Sequence, residues 1–239
     1  MVEQFVTVPK SGDAVLLYVP NTVNKGQPIE LVHYLHGRTG TYEVIDERHH
    51  LRDALLAAGY AVACPQLHGD QWGNRLAQDD LGALDDWIAE QWPVKRRFVI
   101  GESMGGTTAA NMVRLRELAV DAVVFIAPSL SMQAVWDRND EARASLIGAF
   151  GVNPDGTDLS ARTREWDVTR HDPAAYEGVH LMVFASPDDP IANVAAVTGP
   201  WMDAVRDAKA QVYFTEVSGD HVSDDHFRPD DVVAFFDSF

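Results

Sequence analysis

The hexapeptide Gly101-Glu102-Ser103-Met104-Gly105-Gly106 is the most informative stretch of this chain. It follows the apolar run Phe98-Val99-Ile100, which predicts a buried strand, and it precedes residues 104–118, which predict a helix. A Gly-x-Ser-x-Gly pattern between a strand and a helix is typical of a sharp turn that presents a serine hydroxyl at the carboxyl edge of a sheet. A phosphate-binding loop is the competing interpretation, but no Lys-Ser or Lys-Thr pair follows the glycines. Ser103 is therefore the candidate nucleophile.

Short apolar segments alternate with longer helical patterns on both sides of this turn. The segments predict strands at residues 5–8, 14–19, 29–35, 60–64, 97–100, 122–126, 180–185 and 211–216, and helices at 43–58, 79–91, 104–118, 199–208 and 229–239. Residues 98–100 and 123–126 are apolar throughout, as expected where helices cover both faces of a parallel sheet. The fold class is therefore α/β, with a mostly parallel central sheet and helices on both faces.

The length of 239 residues suits a single domain, residues 1–239, but one stretch interrupts the alternation. Residues 129–178 carry apolar side chains at roughly helical spacing and then a Gly/Pro/Asp-rich segment around residues 153–156. Either this stretch is an ordinary surface excursion that packs on the sheet, or it is a small cap over an active site. The sequence leaves both interpretations open.

The charge balance excludes two classes of partner. The chain has 19 Lys and Arg against 36 Asp and Glu, a net charge of −17, and no basic cluster, so neither nucleic acid nor a membrane surface is expected as a partner. The single cysteine, Cys64, lies in an apolar run and predicts a buried thiol. No signal-like or membrane-spanning stretch is visible, which predicts a cytoplasmic protein, although a trimmed exported form would look the same. The sequence does not indicate an oligomeric state.

Taken together, these features resemble the α/β-hydrolase superfamily along nearly the whole chain. The resemblance rests on the opening hairpin, the pair His36-Gly37 after the third strand, the elbow at Ser103, and an acid and a histidine that follow in that order. It implies the α/β-hydrolase fold and a Ser-acid-His chain order for the catalytic residues.

A serine hydroxyl needs a base to take its proton and a carboxylate to orient that base. His221 follows the last predicted strand, where α/β-hydrolases place their histidine, and His226 is the substitute. Asp189 follows the strand at residues 180–185 and resembles the Asp-Pro of the family's acid turn. Asp188 is one residue away and stays an alternative, and either aspartate can instead serve as a turn or capping carboxylate.

The oxyanion hole of this fold uses the backbone N–H after the nucleophile and one from the loop after the third strand. These are predicted to be the N–H groups of Met104 and Arg38. The Arg38 side chain is interpreted as solvated, with an anionic part of a substrate as the alternative. Five residues are candidates for substrate contact, each with core packing or a turn as the alternative: Trp72, Asn74, Leu130, Met132 and Trp136.

The sequence predicts no metal and no cofactor. Two stretches hold histidines beside aspartates, at residues 46–50 and 221–226, but neither has the His-x3-His spacing of a helical zinc site or supporting cysteines.

The predicted function is a serine hydrolase that cleaves carboxylic esters of a small-molecule acyl substrate through an acyl-enzyme. An acyltransferase, a thioesterase or a peptidase would use the same residues, and a non-catalytic ligand-binding module on the same fold is the alternative from a different class.

Overall fold

The protein is described by a computed structural model that covers residues 2–116 and 118–239. Its centre is one sheet in the strand order β1-β2-β4-β3-β5-β6-β7-β8. All eight strands predicted from the sequence are present, with ends that differ by a few residues. The strands are β1 Val2–Thr7, β2 Ala14–Val19, β3 Ile29–Leu35, β4 Ala61–Pro65, β5 Val94–Glu102, β6 Ala122–Ile126, β7 His180–Ala185 and β8 Gln211–Glu216.

The direction of the strands decides where a site can form. Strand β2 is antiparallel to both β1 and β4, whereas all pairs from β4 through β3 and β5 to β8 are parallel. The chain leaves β3 for β4 on one side and then crosses to β5 on the other side of β3. In open α/β sheets, ligands bind outside the carboxyl ends of the strands at such a reversal of strand order. The loops after β3 and β5 meet there.

Helices cover both faces of this sheet, as the apolar strands predict. Consecutive residues of β5 separate into opposite cores: Phe98 and Ile100 join one apolar cluster with the second and last helices, and Val99 joins another. The helices are α1 Val44–Glu47, α2 His49–Ala57, α3 Arg75–Gln91, α4 Met104–Leu115, α5 Met132–Trp136, α6 Asp140–Phe150, α7 Leu159–Thr163, α8 Gly199–Asp207 and α9 Pro229–Phe236. None of the helices in the described part of the chain is long and apolar enough to cross a membrane.

The helices predicted at 104–118, 199–208 and 229–239 end one to three residues earlier than expected, and two others differ more. The single helix expected over residues 43–58 is divided at Arg48, whose backbone (φ −92°, ψ 32°) leaves the helical region between α1 and α2. Helix α3 begins at residue 75 instead of 79, because the side chain of Asn74 accepts a hydrogen bond from the N–H of Ala77 and caps the first turn.

The connection between β6 and β7 contains the stretch that interrupts the sequence pattern. It forms α5, α6 and α7, and their apolar side chains make a separate cluster with Trp72 and with Met104 at the start of α4. The segment at residues 129–178 therefore packs directly beside the Ser103 turn. That it acts as a cap stays a prediction.

Candidate active site

Ser103 occupies a strained turn between β5 and α4. Its φ of 50° lies in the left-handed region, which a non-glycine residue adopts only where the surrounding structure enforces it. The neighbouring glycines allow the turn to pack tightly. A Cβ on Gly101 would lie 2.6 Å from the carbonyl oxygen of Gly105, and a Cβ on Gly105 would lie 2.0 Å from that of Leu35. The glycines of the Gly-x-Ser-x-Gly pattern are thus required by close backbone approaches.

Three side chains from distant parts of the chain form one hydrogen-bonded row at this turn. Ser103 Oγ lies 2.7 Å from His221 Nε2, and His221 Nδ1 lies 2.7 Å from Asp189 Oδ2. With Nδ1–H donating to the carboxylate, Nε2 is the acceptor for the serine hydroxyl. The structure thus brings together the three residues that the sequence singles out, on loops after β5, β7 and β8.

Backbone hydrogen bonds hold the carboxylate of this row in place. Asp189 Oδ1 accepts hydrogen bonds from the N–H groups of Ile191 (2.7 Å) and Ala192 (2.9 Å). Burial alone would raise the pKa of Asp189, but the hydrogen bonds from His221, Ala192 and Ile191 outweigh it and the pKa lies below its usual value. Asp189 is therefore held as an anion facing the imidazole.

The two alternative residues lie outside the row. Asp188 is exposed, and its N–H donates to Ser186 Oγ at 3.1 Å. His226 is buried, with Nδ1 3.1 Å from Ser223 Oγ. Burial lowers the pKa of His226, which favours the neutral ring. Neither side chain has a hydrogen bond to Ser103 or His221 among the described residues.

The backbone N–H groups of Met104 and Arg38, the two predicted oxyanion donors, belong to segments that meet at Ser103. Met104 is the first residue of α4, so its N–H has no acceptor within the helix. Gly37 packs against the serine, since a Cβ on Gly37 would lie 3.4 Å from Ser103 Cβ, and Arg38 follows it directly. In that loop the N–H groups of Thr39 and Gly40 are already bonded, to Asp70 Oδ1 and to the Gly37 oxygen. No acceptor for the Arg38 N–H exists in the described ranges.

The sequence does not predict an ion pair beside Ser103, between the buried carboxylate of Glu102 and the half-buried Arg48. Glu102 accepts hydrogen bonds from Arg48 Nε (3.1 Å) and Nη2 (3.2 Å) and a third one from the Tyr34 hydroxyl. The Arg48 guanidinium also lies 4.5 Å from the ring centre of Phe227, in the loop that carries His221. One signal was visible, a glutamate within an otherwise apolar elbow, but its partners, 54 and 68 positions earlier in the chain, were not.

Comparison with known proteins places this geometry in a family. Residues 26–174, more than half of the chain, match the family model described as serine aminopeptidase, S33. The chain belongs to this family. It is a serine hydrolase of the α/β-hydrolase superfamily, as the sequence resemblance implies. No curated protein sequence matches it significantly.

Solved structures agree with the hydrolase fold. An S-formylglutathione hydrolase from Staphylococcus aureus is 16% identical, with a TM-score of 0.74 over 99% of this hydrolase and 97% of that chain. A truncated carbohydrate esterase from gut microbiota is 14% identical, with a TM-score of 0.77 over 100% and 96% of the two chains. The carboxylesterase Cest-2923 from Lactobacillus plantarum WCFS1 is 17% identical, with a TM-score of 0.68 over 100% and 94%. At these identities the likeness establishes the fold.

The five predicted substrate contacts of this serine hydrolase lie in different environments. Trp72, Leu130 and Met132 are 0%, 1% and 1% exposed, so they are packed in the core of this structure. Asn74 caps α3 with its side-chain oxygen and donates from Nδ2 to the Ala149 oxygen, so both polar atoms of its amide are hydrogen-bonded. Trp136 is half-buried and packs on Gly156. Four of the five residues therefore lie in the alternative environments that the sequence analysis names, core packing for Trp72, Leu130 and Met132 and a helix cap for Asn74. Their contact with a substrate stays a prediction.

One group of possible metal ligands lies in the described part of the hydrolase, and it differs from the two stretches weighed in the sequence. His68 Nδ1 lies 2.5 Å from Asp80 Oδ2 and 4.0 Å from Asp13 Oδ1. Asp13 also accepts a hydrogen bond from the Leu67 N–H at 2.9 Å. His68 and Asp80 are thus hydrogen-bonded to each other, and the carboxylate of Asp13 accepts from the backbone N–H groups of Leu67 and His68.

Proposed function

We propose that this protein hydrolyses carboxylic esters through an acyl-enzyme formed on Ser103. The observation that carries the proposal is the continuous row from Ser103 Oγ through both nitrogen atoms of His221 to Asp189, with 2.7 Å at each step. Nucleophile, base and orienting carboxylate at hydrogen-bond distance are the arrangement that activates a serine hydroxyl.

The reaction follows from the positions of these atoms. His221 Nε2 takes the hydroxyl proton as Ser103 Oγ bonds to the acyl carbon, and Asp189 stabilises the imidazolium that forms. The negative charge that develops on the carbonyl oxygen is met by the N–H groups of Met104 and Arg38. The imidazolium then protonates the departing alkoxide. In the second half, Nε2 takes a proton from water, the hydroxide attacks the acyl carbon, and Ser103 leaves with that proton.

Two observations bear on the leaving group. The solved structures with the same fold include a carboxylesterase, a carbohydrate esterase and an S-formylglutathione hydrolase. These names support an ester or, since S-formylglutathione is a thioester, a thioester as the substrate. The family description, a serine aminopeptidase, supports a peptidase as the second candidate. An ester and an amide with the same acyl group and chromogenic leaving groups separate these two. Faster release of p-nitrophenol than of p-nitroaniline, beyond the difference in their uncatalysed rates, favours the esterase.

Fluorophosphonate labelling tests the nucleophile directly. The wild-type protein is expected to gain one phosphonyl adduct on Ser103 and to hydrolyse p-nitrophenyl acetate, and Ser103→Ala is expected to do neither while it stays folded. Ser160→Ala, at an exposed serine on α7, is the matched control and is expected to label normally. A folded wild-type protein that does not label and does not hydrolyse the ester would favour a ligand-binding module instead.

A further inference from the structure

Two arginines lie beside Ser103 without an acidic partner. Neither Arg38 nor Arg138 forms a salt bridge with any described residue, although the chain has 36 acidic residues against 19 basic ones. Other arginines near the sheet show the usual arrangement: Arg48 pairs with Glu102, and Arg97 with Asp85. Unpaired cations at a predicted reaction centre therefore call for an explanation.

Arg138 touches the neighbours of both ends of the hydrogen-bonded row. Its Nη2 donates to the carbonyl oxygen of Ile191 at 3.0 Å and lies 3.5 Å from Ser129 Oγ. The N–H of Ile191 binds Asp189, and the N–H of Ser129 donates to the carbonyl oxygen of Ser103 at 2.9 Å. The guanidinium is half-buried, and no acceptor for its Nε or Nη1 lies in the described ranges. Donors therefore remain for a ligand close to Ser103.

Arg38 approaches from the opposite loop. It follows Gly37, which packs on the serine, and its half-exposed side chain makes no hydrogen bond with a described residue. Burial and then the charge of Arg38 lower the pKa of Arg138, while Asp189 acts in the opposite direction. The charges of Arg38 and Arg138 therefore repel each other. A bound anion would remove that cost, because it attracts both.

We propose that Arg38 and Arg138 form a subsite for an anionic group, carboxylate or phosphate, on the acyl part of the substrate. The planar fork of N–H donors on arginine matches the oxygen atoms of either group. The inference rests on the proposed function and deepens it: the preferred substrate is an acidic ester whose anion lies a few bonds from the scissile carbonyl.

A pair of substrates that differ at one end tests this. Mono-p-nitrophenyl glutarate carries a terminal carboxylate, and p-nitrophenyl hexanoate carries an ethyl group in its place. We expect the wild-type kcat/KM to be about tenfold or more higher for the glutarate ester, since a charge-assisted hydrogen bond contributes about 1.5–3 kcal/mol. Arg38→Gln and Arg138→Gln are each expected to lower the glutarate-to-hexanoate ratio about tenfold, and Arg38→Lys to lower it less. The ratio cancels any general loss of activity.

The control variant is Arg164→Gln, which removes an exposed arginine of residues 159–170 and is expected to keep the wild-type ratio. Arg138→Gln also loses the hydrogen bond to Ile191. If the two variants give different ratios, the result for Arg38→Gln is therefore the one that decides. A wild-type ratio near one, unchanged in Arg38→Gln, would overturn the proposal while leaving the esterase assignment intact.

Protection of Ser103 from fluorophosphonate labelling shows whether the subsite prefers a carboxylate or a phosphate. Glutarate and glycerol 3-phosphate are each added during fluorophosphonate labelling, and the ligand that slows labelling in the wild type but not in Arg38→Gln is the preferred class. If no ester is cleaved and Ser103 does not label, the proposed function fails, and calorimetric titration with the same two anions still tests the subsite. Heat of binding that disappears in Arg38→Gln supports the subsite, and no heat in the wild type overturns it.

Discussion

Asp189→Asn replaces one carboxylate oxygen by an NH₂ group, and this exchanges the donor and acceptor nitrogens of His221. Asp189 Oδ1 accepts two backbone N–H groups, at 2.7 and 2.9 Å, so the single oxygen of an asparagine is held there and its NH₂ points to His221 Nδ1. The flipped amide would aim its NH₂ at those two N–H donors and leave both without an acceptor, at about 1–3 kcal/mol each. An NH₂ donor requires Nδ1 to be the acceptor, so the proton moves to Nε2 and the serine loses its base.

We therefore expect Asp189→Asn to lower kcat on p-nitrophenyl acetate by about 10⁴-fold, the size of this tautomer effect in serine hydrolysis. Asp188→Asn is the matched control: its side chain is exposed and outside the row, and its kcat should stay within about twofold of wild type. Circular dichroism checks that both variants are folded. An Asp189→Asn variant that keeps a tenth of the activity, or an Asp188→Asn variant that loses as much, would refute the assignment.

Three further predictions concern stability. Glu102→Gln leaves the guanidinium of Arg48 without its buried carboxylate and should lower the free energy of unfolding by about 3 kcal/mol in a urea titration; no measurable change would contradict the geometry. Gly105→Ala places a Cβ 2.0 Å from a backbone oxygen and should abolish cooperative thermal unfolding, whereas Gly82→Ala, with open space around its Cβ, should not. The pKa of Asp189 is lowered on folding, so its contribution to stability is present above about pH 4 and lost as pH falls further. The acid side of the stability curve should therefore be shallower for Asp189→Asn than for wild type.

Local patterns in the chain were enough for the sheet and the turn. Residues 98–100 and 122–126 are runs of apolar residues that are too short for helices. The first lies between Arg97 and Gly101 and the second between Asp121 and the pair Ala127-Pro128, and both are strands of the sheet. Gly101 and Gly105 flank Ser103 at the junction with a helix, a pattern that has few other structural explanations. Such features depend on neighbours within a few positions, so they can be predicted from the sequence before the fold is known.

Side-chain direction and contact between distant segments required the tertiary structure. The sequence left Asp188 and Asp189 as alternatives, and only the turn after β7 shows which carboxylate faces His221. It also suggested Trp72 for the substrate site, whereas packing against the helices of residues 129–178 buries that ring completely.

The approach of two arginines to the Ser103 turn also required the tertiary structure. Arg38 and Arg138 are 100 positions apart, and no local pattern indicates that both approach one turn. Periodicity and turn chemistry are properties of short segments, and they determined the α/β class and the candidate nucleophile. The direction of each side chain, and therefore the partners of each charge, is set by how the segments pack, and that depends on the whole chain at once.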